Sequence, residues 1–222
     1  MTGKEWLERL STVVVTGCAV IVTVTLVRGQ AGTAQAEFQP SRMRQVDNWE
    51  EVAAAGRRIG RADADITVVE FGDFQCPVCA SFNRAVLAAL RSDYPDQVAI
   101  VFRHWPLSIH EHAYGAAQAA ECAAEQGRFE AMHDMLYAYQ DSLGLVSPEV
   151  LADRAGVADL AEFSRCIADG RGTDRIEADI QAAADLGATG TPTILLNGLY
   201  ISGAPDSVRF MQLVKKLLKE RH

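Results

Sequence analysis

The stretch Val68–Cys79, VVEFGDFQCPVC, constrains this chain more than any other. It predicts a buried strand that ends just before a Cys-Pro-Val-Cys motif, and a helical pattern follows the motif. A cysteine at a helix start faces unpaired backbone N–H groups and the positive end of the helix dipole, and both favour a thiolate. The spacing is therefore typical of a redox-active thiol pair, with half of a zinc site as the usual competitor.

The other cysteines and the histidines help to choose between these two interpretations. The chain has five cysteines: Cys18, Cys76, Cys79, Cys122 and Cys166. A structural zinc site needs a second closely spaced pair, which the last two cysteines do not form. Four of the five histidines lack a metal-ligand pattern and are interpreted as structural: His104, His110, His112 and His133. We therefore expect no metal and no cofactor. One closely spaced cysteine pair together with a distant pair, Cys122 and Cys166, is typical of a protein in an oxidising compartment.

Composition limits the classes of function. With 222 residues, of which 49% are hydrophobic, the chain can form one domain with a sizeable core and an elaboration or an anchor. The net charge of −8 and the lack of a Lys/Arg cluster argue against nucleic-acid binding, because neutralising phosphates requires clustered positive charge.

An apolar run without charges, Leu10–Val27, precedes the domain. It is close to the minimum length of a transmembrane helix and exceeds the apolar core of a typical cleaved signal peptide. We expect an uncleaved transmembrane signal anchor over residues 1–28, a linker over 29–46 and a folded domain over 47–222.

Two alternatives for the N-terminal segment stay open. Ala34-Gln35-Ala36 resembles a signal-peptidase site, and cleavage near Ala36 gives a secreted or periplasmic protein. Val15-Thr16-Gly17-Cys18 resembles the lipid-attachment motif of a bacterial lipoprotein, with Cys18 as the attachment point. All three interpretations place the folded domain outside the cytoplasm.

Hydrophobic periodicity predicts an α/β domain. The predicted strands are Ile66–Phe71, Gln97–Arg103, Thr193–Asn197 and Tyr200–Gly203. Between the second and third of them, about 108–187, the patterns are helical throughout. The predicted order is therefore strand, helix, strand, an all-helical insertion, a hairpin and a closing helix.

A second motif, Gly190-Thr191-Pro192-Thr193, lies just before the third of these strands. An X-Pro bond is the peptide bond that readily becomes cis, and a cis-proline loop faces the CxxC motif in the thioredoxin fold. The ordered ensemble EFGDFQCPVC, FRHWPL, ECAAEQGRFEAMHDMLY and GATGTPTILLNG resembles the DsbA-like thioredoxin-fold family of thiol:disulfide oxidoreductases from the bacterial envelope. The resemblance covers roughly residues 47–220. It implies a thioredoxin fold whose βαβ and ββα halves are separated by the helical insertion.

The resemblance also implies roles for individual residues. Cys76 matches the exposed nucleophilic cysteine, and Cys79 matches the buried resolving cysteine. Pro192 matches the cis-proline, Thr191 the residue whose backbone pairs with substrate, and Glu70 the buried acid beneath the redox pair. A carboxylate whose pKa is raised by burial can accept the proton of the resolving thiol.

Two further pairs of residues complete the predicted site. Pro77 and Val78 lie between the redox cysteines and affect how well the helix start stabilises the thiolate. Neither offers a polar side chain to Cys76. Related envelope proteins imply a structural disulfide between Cys122 and Cys166. Two buried free thiols and a second redox pair are the alternatives.

These features predict an extracytoplasmic enzyme that introduces disulfides into folding proteins through its CPVC pair. The expected partners are secreted proteins with thiols and a quinone-linked membrane partner that reoxidises the pair. We expect a monomer held at the inner membrane by a single-pass helix. A disulfide reductase or isomerase is the first alternative, and a non-catalytic peptide-binding chaperone is the second.

Overall fold

The computed structural model describes residues 43–221. The predicted transmembrane segment over 1–28, the lipid-attachment point Cys18 and the cleavage site near Ala36 lie outside these residues. Between residues 43 and 221, no helix combines the length and the apolar character that crossing a membrane requires.

In this part of the chain, six strands form one mixed sheet. They are β1 Met43–Gln45, β2 Arg57–Ile59, β3 Ile66–Gly72, β4 Val98–His104, β5 Thr193–Leu196 and β6 Leu199–Ser202. Across the sheet they follow the order β1-β6-β5-β3-β4-β2. The central pair, β3 and β4, is parallel, and the other neighbouring pairs are antiparallel. A parallel pair needs a crossover connection, which the helix after the CPVC motif supplies.

The helices surround this sheet and include an insertion. They are α1 Trp49–Ala54, α2 Pro77–Phe82, α3 Ala88–Asp93, α4 Ala113–Ala124, α5 Phe129–Ala138, α6 Pro148–Arg154, α7 Leu160–Ala168, α8 Thr173–Asp185 and α9 Ser207–Arg221. A π-helical turn, Asn83–Leu87, joins α2 to α3, so one continuous helix follows the CPVC motif. Helices α4 to α8 lie between β4 and β5, and the predicted thioredoxin fold with a mixed sheet and helices is confirmed.

Both faces of the central strands are buried, because side chains alternate between the two sides of a strand. One face of β3 and β4 packs into the larger core through Ile66, Val68, Ile100 and Phe102. The other face packs into a smaller core through Val69, Phe71 and Val101. Glu70 shares the face of Val68, so its carboxyl points into the larger core.

The structure differs from the sequence-based expectation at the two edges of the sheet. Strand β1 lies inside the segment predicted as a linker, 29–46, and pairs with β6, while β2 pairs with β4. Both strands have three residues, which is too short for a hydrophobic period to show.

A disulfide joins two helices of the insertion. Cys122 in α4 and Cys166 in α7 are bonded, with their Cα atoms 5.7 Å apart. Both residues are buried. The structure therefore contains the structural crosslink that the family resemblance implied, rather than two free thiols.

Candidate active site

The CPVC motif opens helix α2 at the end of β3. Cys76 is the N-cap residue, with an extended backbone, and Pro77 is the first helical residue. A proline is tolerated there because the first N–H groups of a helix have no intrahelical partner. Cys79 follows in the first turn and is fully buried, and both cysteines are free thiols. Cys76, expected to be exposed, is only 5% exposed, whereas Val78 is 48% exposed.

The second predicted motif lies against the first. The Thr191–Pro192 peptide bond is cis. The sulfur of Cys76 lies 3.6 Å from the carbonyl oxygen of Thr191, to which its thiol form donates a hydrogen bond. The hydroxyl of Thr193 donates to the carbonyl of Gly190 over 2.8 Å and so closes the loop around the proline. The fold thus brings the CPVC motif and the cis-proline loop together.

The pKa values of the two thiols are shifted in opposite directions. The pKa of Cys76 is lowered to about 5, chiefly because the thiol of Cys79 donates a hydrogen bond to its sulfur. Backbone N–H groups of Cys79 and Val78 lower this pKa further, although burial opposes them. Burial raises the pKa of Cys79 well above its ordinary value, and its hydrogen bond to Cys76 raises it more. At neutral pH the pair therefore holds one thiolate, Cys76, and one thiol, Cys79.

Glu70 lies beneath this pair. Its side chain is fully buried, and neither carboxyl oxygen has a hydrogen-bond partner among the described residues. Burial raises the pKa of Glu70 to about 8, and the charge on Cys76 contributes in the same direction. The carboxyl is therefore protonated at neutral pH and can give a proton to a neighbouring sulfur.

Asp73, which the sequence analysis did not single out, holds the loop before the motif. Its buried carboxylate accepts hydrogen bonds from the N–H groups of Gln75, at 2.7 Å, and Leu107, at 2.8 Å. It also contacts Nδ1 of His110 at 2.7 Å. The bond to Gln75 is the local Asx pattern typical of aspartate in turns, so its position was a usable signal. The other contacts are tertiary.

Gln140 is a second residue that sequence reasoning missed. Its side-chain amide donates to the carbonyl of Phe74 over 2.7 Å and to the carbonyl of Cys76 over 2.9 Å. It belongs to a short 3₁₀ turn, Gln140–Ser142, that follows α5. The helical insertion therefore fixes the backbone of the redox motif directly.

The histidines have structural surroundings. Three of them contact carboxylates: His104 Nε2 lies 2.9 Å from Glu121, His110 Nδ1 lies 2.7 Å from Asp73 and His133 Nδ1 lies 2.9 Å from Asp134. The backbone N–H of His112 donates to the side chain of Gln75 over 2.7 Å. Within residues 43–221, no group of three or more potential ligands is arranged to hold a metal ion.

Comparison with known proteins agrees with this geometry. A family model described as "Thioredoxin" matches residues 53–216. The chain belongs to the thioredoxin family. Its domain therefore has the fold that the topology shows, with the CPVC motif and the cis-proline loop in one site.

Solved structures of this family identify the subgroup. BdbD from Bacillus subtilis, in its oxidised form, is 25% identical with a TM-score of 0.66, over 75% of this chain and 94% of that chain. A thioredoxin-like oxidoreductase from Silicibacter pomeroyi is 26% identical with a TM-score of 0.64, over 78% and 98%. DsbA2 from Pseudomonas aeruginosa is 28% identical with a TM-score of 0.59, over 73% and 93%. The DsbA-like resemblance is confirmed, and the domain is of the oxidoreductase type.

The curated relatives that the chain matches are longer proteins, and the match covers a small part of each. The Na(+)/H(+) antiporter NhaA 3 of Salinispora tropica is 45% identical over 140 residues, which are 63% of this chain and 21% of that protein. The Na(+)/H(+) antiporter NhaA 1 of Mycolicibacterium gilvum is 33% identical over 159 residues, or 70% and 25%. The chain thus spans about a quarter or less of these relatives.

Proposed function

We propose that the protein is an extracytoplasmic thiol:disulfide oxidoreductase that donates a Cys76–Cys79 disulfide to folding proteins. The observation that carries this proposal is the contrast in pKa between the two thiols, with Cys76 at about 5 and Cys79 well above its ordinary value. A thiol with a low pKa is stable as a thiolate and leaves readily. This stabilises the reduced protein and makes its disulfide a good oxidant.

The proposed reaction has two displacement steps. A substrate thiolate attacks the Sγ atom of Cys76 in the oxidised pair, the Cys76–Cys79 bond breaks, and a mixed disulfide forms. Cys79 leaves with the electron pair and takes a proton from the carboxyl of Glu70. A second substrate thiolate then attacks the substrate sulfur of the mixed disulfide, and Cys76 leaves as a thiolate. The substrate has lost two electrons, and the protein has gained them.

Substrate binding is proposed at the cis-proline loop. The backbone of Thr191 lies beside the Cys76 sulfur, where an extended polypeptide can pair with it by strand addition. Val78 is exposed next to the motif and offers an apolar contact to the same polypeptide. In this proposal Val78 contacts the substrate, Pro77 begins the helix that carries the motif, and Pro192 holds the loop beside the sulfur.

The location and partners belong to the same proposal. The intramolecular Cys122–Cys166 disulfide supports an oxidising compartment outside the cytoplasm. We propose that residues 1–28 anchor the protein in the inner membrane as a single pass, with release after cleavage near Ala36 as the alternative. Secreted proteins with thiols are the proposed substrates of a monomeric enzyme. A quinone-linked membrane protein is the proposed partner that reoxidises it.

The reduction potential of the Cys76–Cys79 pair tests the direction of electron flow. The full chain is equilibrated against glutathione buffers, and the oxidised fraction is measured. A potential near about −120 mV, typical of strong dithiol oxidants, supports disulfide donation. A potential near about −270 mV identifies a reductase and overturns the proposed direction. A Cys76→Ser variant that still assists folding of a substrate identifies a chaperone instead.

A further inference from the structure

Tyr137 is a buried residue of the insertion for which the reaction above has no role. Its side chain extends from α5 and is 2% exposed. Its hydroxyl is shielded from solvent and has no hydrogen-bond partner within the described part of the chain. Leaving a buried polar group unpaired costs free energy. The hydroxyl therefore does not stabilise the folded state seen here.

The position of this hydroxyl is defined by Gly72, the last residue of β3. A Cβ atom on Gly72 would lie 3.0 Å from the Tyr137 oxygen. Gly72 and Glu70 are two residues apart on one strand, so they face the same side of the sheet about 7 Å apart. The Tyr137 hydroxyl and the unpartnered Glu70 carboxyl thus lie on the same face of β3.

The ring of Tyr137, by contrast, is well accommodated. Its centroid lies 5.0 Å from the ring of Phe74 and 5.0 Å from the ring of His133. A phenylalanine would preserve these contacts and would remove the unpaired hydroxyl. The oxygen atom therefore calls for an explanation other than packing.

We propose that Tyr137 is a positioning residue for Glu70: its hydroxyl donates a hydrogen bond, directly or through one water, to the carboxylate that forms when Glu70 protonates the leaving Cys79. This inference rests on the proposed function and extends it to the insertion. At neutral pH Glu70 is protonated in the resting protein, so its carboxylate forms when the proton passes to Cys79. A hydrogen bond to a charged group is stronger than one to a neutral group.

Other titratable groups also surround this site. They are Cys76 at the N-cap of α2, Cys79 from α2, Asp73 after β3, His104 from β4 and His133 from α5. Two of their ring nitrogens, His104 Nδ1 and His133 Nε2, are also buried without a partner among the described residues. Burial, then the charges of Glu70 and the cysteines, raises the pKa of Tyr137 well above its ordinary value, so it remains a neutral donor. Burial lowers the pKa of His133, and its Nδ1 is engaged with Asp134. The hydrogen-bonding capacity of Asp73 is used by the loop.

The test is the pH dependence of exchange between the oxidised full chain and a small thiol. The rate of wild type divided by the rate of Glu70→Gln at each pH cancels the titration of the attacking thiol and isolates Glu70. This ratio should fall as pH rises through the pKa of Glu70, which burial keeps above its ordinary value when the cysteines are joined. The same ratio is taken for the rate of Tyr137→Phe over the rate of the double variant with Glu70→Gln. The pH at which this second ratio falls should be about one unit higher than for wild type, because the carboxylate has lost a hydrogen-bond donor.

Tyr139→Phe is the matched control, since Tyr139 lies two residues along the chain and stacks on Arg154 instead. Its profile should coincide with that of wild type. Tyr137→Phe with an unshifted profile overturns the role of the hydroxyl while leaving the oxidoreductase in place. Wild type without any exchange overturns the proposed function itself. If wild type exchanges but the ratio of its rate to that of Glu70→Gln does not fall with pH, the role of Glu70 and the inference built on it are overturned.

Discussion

The Sγ atom of Cys76 lies 3.6 Å from the carbonyl oxygen of Thr191, although 115 positions separate the two residues. The sheet explains this approach. Strands β3 and β5 are antiparallel neighbours, with Phe71 opposite Thr193. The loop after β3 and the loop before β5 therefore emerge at the same end of the sheet. This end carries both the sulfur and the backbone proposed to bind substrate.

The acidity of Cys76 gives the first prediction. In the reduced protein, the ultraviolet absorbance of the thiolate should appear with a midpoint near pH 5. Cys79→Ala should raise that midpoint, because the Cys79 thiol provides the largest contribution to the low pKa. The same titration of Cys76→Ser should show no transition in this range. A wild-type midpoint near that of an ordinary cysteine would contradict the proposed thiolate.

The burial of Glu70 predicts a pH-dependent cost in stability. Its pKa of about 8 in the folded protein lies above the ordinary 4.5, so between these values the folded state holds a proton that the unfolded state releases. Stability therefore falls as pH rises through this window. Glu70→Gln should remove this dependence and be more stable than wild type by on the order of a few kcal/mol at about pH 8.

Urea unfolding of both oxidised proteins across this pH window measures the effect of Glu70→Gln. Burial, the larger cause of the raised pKa, remains when the cysteines are joined, whereas the Cys76 charge is absent. The two stability curves should meet near pH 4.5 and separate as pH rises. Parallel curves would show that Glu70 titrates normally in the folded protein.

Removing the Cys122–Cys166 disulfide should reduce stability without abolishing exchange. The bond closes a loop with a sequence separation of 44, which corresponds to about 4 kcal/mol in the chain-entropy description. We expect the Cys122→Ala and Cys166→Ala double variant to lose about 2–4 kcal/mol in denaturant unfolding. Its Cys76–Cys79 reduction potential should be that of wild type. A variant with unchanged stability and altered exchange would indicate a second redox pair.

A buried ion pair should contribute more to the free energy of unfolding than an exposed ion pair does. Asp179 in α8 pairs with Arg103 of β4, and its other oxygen accepts the backbone N–H of His104 over 2.8 Å. Both charged side chains are buried. Asp179→Asn should therefore cost about 3–5 kcal/mol in urea unfolding, because it leaves a buried guanidinium without a counter-charge.

The exposed pair of Arg61 and Asp63 is the control for this experiment. Asp63→Asn should change stability little, since solvent screens the interaction. Equal losses from Asp63→Asn and Asp179→Asn would mean that burial does not govern the contribution of these pairs.

Local sequence determined the unit of strand, motif and helix. A run of apolar β-branched residues predicts β3, and the Cys-Pro start of α2 predicts a thiolate at a helix N-terminus. These features depend on neighbours along the chain, so they are readable without a fold. The helical patterns between the second strand and the late hairpin likewise marked the insertion. The three-residue strands β1 and β2 carried no such period and appeared only in the structure.

Only the tertiary structure decided how the site works. Gln140 reaches the carbonyl of Cys76, and Tyr137 places a hydroxyl against Gly72, yet neither has a local signal. The burial that raises the pKa of Glu70 to about 8 is also a property of the packed core. Acidity and hydrogen bonding depend on solvent exclusion and on groups from distant segments. The sequence therefore determined which chemical groups are present, and the packing decided their protonation and their partners.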